Sequence, residues 1–452
     1  MNKKDFKVCM QQGRGQCHLV LKGEKDIAKY KDIVLWGCLH NLSYDTQCEG
    51  VRAEYVYHLT TFFRDEEYFV RPIIKAFSTL ANKKDYLFQH FSTLLSLFAK
   101  NGNADALFAL QQKYEQLYTT LLNKRSFNTY DFERDNFQHF CITILPSNSD
   151  DANYKTIRDL GRLFKENPHY DCDSFDWLCF SLEKQLGKRN FYQMLERDSK
   201  NCDYAKCFYE SYLQIAKKRE ENQKRPVFKP QAPSVEAIRE EISTTGRLSP
   251  YAKIRFSRYA DTEARKQLAK IVLAETNLDQ KAELLSTFFN SEFPISHESL
   301  VEYAHSTHER LREVALGVLS NCQSKVVHDY ALLLLEEEKH KAYTLKILLK
   351  NYAPSDKDLL LGALYALDIN YEEESGWHHI DFKILDLFDS GKKLPKEFLH
   401  YVYKTTLCSC CRYRAVRALA KHRWLTKEII EECRYDSNDK ITGYINRYYP
   451  QK

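Results

Sequence analysis

Residues 307–319 read T-H-E-R-L-R-E-V-A-L-G-V-L, and they constrain the fold more than any other stretch of the chain. Leu311, Val314, Ala315, Val318 and Leu319 recur at i, i+3, i+4, i+7 and i+8, which is one face of an α-helix. Shorter echoes stand at 262–273 (T-E-A-R-K-Q-L-A-K-I-V-L) and 411–420 (C-R-Y-R-A-V-R-A-L-A). Each sets an arginine just before an apolar stripe built with small residues. Only 14 Gly and 11 Pro occur in 452 residues, below average usage of roughly 7% and 5%. So few turn residues predict long helices with short connections.

Residues 1–30 are the least repeat-like part and are expected to form an N-terminal cap. Within them Q-Q-G-R-G-Q-C-H-L-V-L-K (11–22) reads as a flexible turn followed by a short extended piece. Gly13 and Gly15 open backbone conformations closed to other residues, and Arg14 between them is a candidate partner-binding residue. G-R-G-Q lacks the Lys-Ser/Thr of a phosphate loop and the G-x-G-x-x-G dinucleotide pattern. Residues 31–216 read as a loosely repeat-like helical block. In it Asp45 and Arg52 are expected to tie successive helices by charge-assisted hydrogen bonds. Residues 217–235, K-K-R-E-E-N-Q-K-R-P-V-F-K-P-Q-A-P-S-V, hold three prolines and almost no apolar periodicity. They read as a charged linker. Residues 236–452 form the more regular block.

The spacing from Arg265 to Arg312 falls within the roughly 40–47-residue period of HEAT-type units. On these residues the chain resembles the HEAT and armadillo families, most clearly over 236–452. The resemblance implies an all-α fold, an α-solenoid of HEAT/armadillo-like helix pairs in two blocks joined by the 217–235 linker. It implies architecture only, because such folds host many functions.

Two His-Glu pairs occur, His297-Glu298 and His308-Glu309. The second is similar to the His-Glu motifs of the HEAT-repeat deoxyhypusine hydroxylases, whose dimetal centre draws on four pairs in separate repeats. With two pairs only eleven residues apart, half of such a centre is missing, and the glutamates are expected to complement the first turns of their helices. Cys408, Cys410, Cys411 and Cys433 are candidates for a zinc site, although C-S-C-C compresses the usual C-x-x-C spacing. Without an export signal, buried reduced thiols are the plainer reading of the 14 cysteines. Cys17 beside His18 is a poor nucleophile–base pair, since neighbours on an extended piece point to opposite sides.

Charge is nearly balanced, 67 basic against 62 acidic residues, which gives a phosphate backbone no general attraction. Arginines still recur near the starts of helices. Arg265, Arg310, Arg312, Arg414 and Arg417, with Arg14, are the candidate partner-binding set. They could line a groove like that of the HEAT-like DNA glycosylases, or pin neighbouring repeats together. No apolar run is long enough to cross a bilayer, and the expected compartment is the cytoplasm. The expected function is a non-catalytic scaffold or adaptor that binds a protein partner without a cofactor, with nucleic-acid binding as the second reading. The abundance of Tyr (30) and Phe (26) suits either an interaction surface or a core packed by rings.

Overall fold

A computed structural model describes residues 1–80, 85–124, 131–144, 150–223, 230–337, 339–367 and 378–451. Among these, every regular element is helical, and no helix is long and apolar enough to cross a membrane. The chain divides into two compact units. The first comprises Met1–Pro226, Leu407–Cys410 and Thr426–Lys452; the second comprises Val227–Thr406 and Cys411–Leu425. The last 27 residues of the stretch expected to be one block therefore fold with the first unit.

The first unit begins with a helical hairpin where an extended piece was expected. The Lys3–Gln12 helix ends at Gly13, whose φ of 71° lies in the left-handed region. The Gly13 N–H donates to the Met10 carbonyl and the Arg14 N–H to the Cys9 carbonyl, so two open carbonyls are closed in one Schellman turn. The chain then re-enters a helix, Gln16–Gly23, which buries Cys17, Val20 and Leu21 at i, i+3 and i+4. The H-L-V-L run resembles a strand only when this spacing is overlooked.

Rings fill the core of the first unit. Phe77, Phe88, Phe140, Tyr114, Phe137, Phe175, Phe164, Phe208 and Tyr212 form a continuous chain of tilted, stacked and edge-on contacts. Their polar ends are satisfied: Tyr114 donates to Asp159 and Tyr212 to Glu183. Much of this unit's aromatic content is thus packing rather than contact surface. The Asp203–Gln223 helix continues through the first residues of the expected linker. Lys218 pairs there with Asp173, and Arg219 with Asp176 and Glu183. Residues 224–229 of that linker lie outside the described residues.

In the second unit helices pack mainly against their neighbours along the chain. His297–Ala304 packs on Glu309–Leu319, Lys325–Glu336 on Lys341–Asn351, and Lys341–Asn351 on His378–Asp389. The 307–319 stripe behaves as its spacing requires, with Leu311, Val314, Ala315, Val318 and Leu319 all buried on the Glu309–Leu319 helix.

Candidate functional site

The first unit contains a cleft of about 730 Å³ whose walls come from five separate parts of the chain. The Gly13–Gly15 turn is clamped at one edge. Arg14 donates from Nε (2.7 Å) and Nη2 (3.0 Å) to the two carboxylate oxygens of Glu432. The Ser437 N–H donates to the Gly13 carbonyl (2.9 Å), and the Tyr55 hydroxyl to the Arg14 carbonyl (2.8 Å). A Cβ on Gly15 would collide with the Glu432 carbonyl, so the approach itself requires glycine.

Arg52 forms the floor. It and Glu49 are paired at 2.5 Å with side chains only 2% and 1% exposed. Arg52 also donates to the carbonyls of Gln11 (2.5 Å) and Leu407 (2.7 Å), while Glu49 accepts from the Ser409 N–H (3.0 Å). The tie expected of Arg52 exists with a different partner, because Asp45 caps the short Thr46–Glu49 helix through the Gln47 and Cys48 N–H groups.

His18 stands at the wall, stacked on Tyr435 at 3.8 Å and 9° and edge-on to Phe62. Burial, then the charges of Lys22 and His58, lower its pKa to about 4, so the ring is neutral at pH 7. Two thiols, Cys48 and Cys410, also line the cleft. A hydrogen bond and the charge of Asp45 push Cys48 up, and burial pushes Cys410 up to about 11. Both are protonated at neutral pH and therefore weak nucleophiles. Cys17 is fully buried, donates to the Phe6 carbonyl, and is raised further by burial. The buried charges of the cleft floor, Arg52 and Glu49, are thus spent on each other.

Of the zinc candidates, Cys408, Cys410 and Cys433 belong to the first unit, with Cys408 and Cys433 buried. Cys411 belongs to the second, where its Sγ lies 3.3 Å from His378 Nε2.

The candidate arginines of the second unit are engaged by their own chain. Arg265 and Arg312 are each the fourth residue of their helix, and each reaches back to a carbonyl before it, in the last turn of the preceding helix for Arg265 and in the connection just past it for Arg312. Arg265 donates to the Ser257 carbonyl (2.9 Å) and Arg312 to the Ser306 carbonyl (3.1 Å). The first is a carbonyl of the kind a helix end leaves open. The same position on the Ser409–Lys421 helix is Arg412, which is fully buried. Arg414, also a candidate, pairs with Asp386 (2.7 Å) and Asp389 (2.6 Å). Arg310 pairs with Glu283, a buried carboxylate that also takes Lys253 (2.7 Å) and the Leu248 N–H (3.2 Å). Arg417 is exposed over the Tyr413 ring. His308 caps its helix, its Nδ1 accepting from the Leu311 N–H.

Large apolar side chains lie exposed on the Pro250–Tyr259 helix of this unit: Tyr251 (64%), Ile254 (45%) and Tyr259 (46%). At 100° per residue Tyr251, Ile254 and Arg258 fall within about 60° of one another and well away from the buried Phe256, while Tyr259 stands at the helix end on the flank nearer Phe256. Nothing in the local sequence marks this face, because Tyr251, Ile254 and Tyr259 have the spacing of an ordinary helix and their exposure is set by tertiary packing. A comparison with protein-family models finds no match for the chain, and a search of curated proteins finds none either.

Proposed function

We propose that the protein is a non-catalytic intracellular scaffold, an α-solenoid of HEAT/armadillo-like helix pairs that binds a protein partner. The observation that carries this reading is the exposed face of the Pro250–Tyr259 helix. Scattered apolar side chains are ordinary on a surface, but Tyr251 and Ile254 on one face with Arg258, and Tyr259 exposed at the helix end, have the composition of a binding hot spot. Packing of the second unit's helices on their chain neighbours supports the solenoid, since repeats of that kind touch mainly the next repeat.

The nucleic-acid reading receives less support. Four of the arginines that would line its groove, Arg265, Arg310, Arg312 and Arg414, are held by carboxylates or carbonyls of the same chain. A phosphate backbone would have to compete for them.

Affinity capture on wild-type protein and on a Tyr251→Ala/Ile254→Ala/Tyr259→Ala variant tests the proposal, with a salt titration against oligonucleotides in parallel. A partner lost from the triple variant, with no salt-dependent oligonucleotide binding that needs Arg265 and Arg312, is expected. Equal capture by both proteins would contradict it.

A further inference from the structure

Four lysines of the second unit gather around one helix end. Lys346 and Lys350 lie one turn apart on the Lys341–Asn351 helix and so share a face. That helix packs against His378–Asp389, which carries Lys383. Lys383 Nζ donates to Asn321 Oδ1 (3.1 Å), and Lys392 Nζ donates to the carbonyls of Leu349 and Lys350. All four side chains are half-buried. We propose that Lys346, Lys350, Lys383 and Lys392 form a binding site for a multiply charged, phosphate-bearing anion.

The electrostatics agree with this geometry. Burial lowers Lys383 to about 8, and Lys350, Lys346 and Lys392 add to the effect against the opposing pull of Asp386. Burial and Lys350 lower Lys392, and burial lowers Lys346. His379, on the same helix as Lys383, is lowered by burial and then by Lys346. Asp386 is the carboxylate that faces Lys383, and it is already held by Arg414 at 2.7 Å.

Structure alone accounts for part of the arrangement. Lys392 caps a helix C-terminus, where a cation is favoured. Lys383 holds an amide. Neither role needs four cations together, and each ammonium has three donors to offer. A phosphate oxygen accepts such donors strongly and removes the mutual repulsion. This site is independent of the Pro250–Tyr259 face and of the partner it would bind.

Calorimetric titration of the full chain with sodium pyrophosphate, and separately with a single-stranded oligonucleotide, tests the site. Saturable binding of at least one ligand is expected, weakened about tenfold or more by Lys350→Ala and by Lys383→Ala, because each removes a charge-assisted donor. Lys266→Ala, at an exposed lysine elsewhere, should leave it unchanged. Pyrophosphate binding alone would identify a small phosphate compound, and oligonucleotide binding as well would identify a phosphate backbone. Both variants should melt at or above the wild-type temperature without ligand, since each relieves repulsion. Lys350→Gln replaces either one that fails to fold. Absence of saturable binding by both ligands, as when carboxylates of the chain itself satisfy the lysines, would overturn the proposal. So would affinity unchanged in the variants.

Discussion

Arg14 and Glu432, 418 residues apart, hold each other through two hydrogen bonds of 2.7 and 3.0 Å, with side chains only 15% and 7% exposed. The pair fastens the N-terminal helical hairpin to the Lys427–Cys433 helix within the first unit. Removing either partner strands the other in a poorly solvated place. Arg14→Ala and Glu432→Ala should each cost about 2–3 kcal/mol, and the double variant clearly less than their sum. Chemical denaturation of the four proteins in this cycle measures it. Additive losses would show that the two groups act separately.

Gly15 should be intolerant for a different reason. Gly15→Ala drives a methyl into the Glu432 backbone and should destabilise by about 1–3 kcal/mol, as overpacking does. Gly23→Ala, at the exposed end of the following helix and with open space around it, should be neutral or stabilising by a few tenths to about 1 kcal/mol. Thermal melts of the two variants compare them directly.

His90 sets a pH dependence. It is fully buried, its Nε2 faces the carbonyls of Gly37 and Cys38, and burial lowers its pKa to about 4. The unfolded chain binds a proton near pH 6.5 and the folded chain does not, so the unfolded state holds more protons between about 4 and 6.5. Stability is therefore full above pH 6.5 and falls as pH drops towards 4, by on the order of 2–3 kcal/mol from His90 alone. His18 and His139, also lowered to about 4 by burial, act in the same direction. Urea melts from pH 7 to 5 and an NMR titration of the ring protons measure this. A His90 midpoint near 6.5 would contradict it.

Arg265 and Arg312 should behave as structural residues. Arg312→Ala and Arg265→Ala each leave a backbone carbonyl without this donor and should cost about 1–2 kcal/mol. Arg417→Ala, on the surface, should fall within about 0.5 kcal/mol of wild type. Equal, negligible losses at all three positions would mean that the reach-back contacts contribute nothing.

The helices were legible because 3.6-residue spacing is local, and the 307–319 stripe is buried as its pattern requires. Helix starts were partly legible for the same reason, as the first-turn position of Glu309 shows. The Gln16–Gly23 helix was missed because a short L-V-L run favours a strand by composition while its Cys17–Val20–Leu21 spacing favours a helix. Long-range partners leave no local trace. Nothing around Arg14 points to Glu432, and Glu283 gathers Lys253 and Arg310 from separate helices. The lysine cluster escaped notice likewise, since two helices and a loop each contribute cations that look unremarkable alone. Arg414 stands in a motif similar to that of Arg312, yet the helix phase gives the matching position to Arg412.

The central claim, that the Pro250–Tyr259 helix face receives a protein, is tested most directly by photo-cross-linking. A photoreactive residue at position 254 in the full chain, irradiated in extract from the source cells, should give one discrete protein adduct. The same residue at position 417, exposed but off that face, should not give that adduct. Absence of any protein adduct at 254, or adducts formed only with nucleic acid, would contradict the claim.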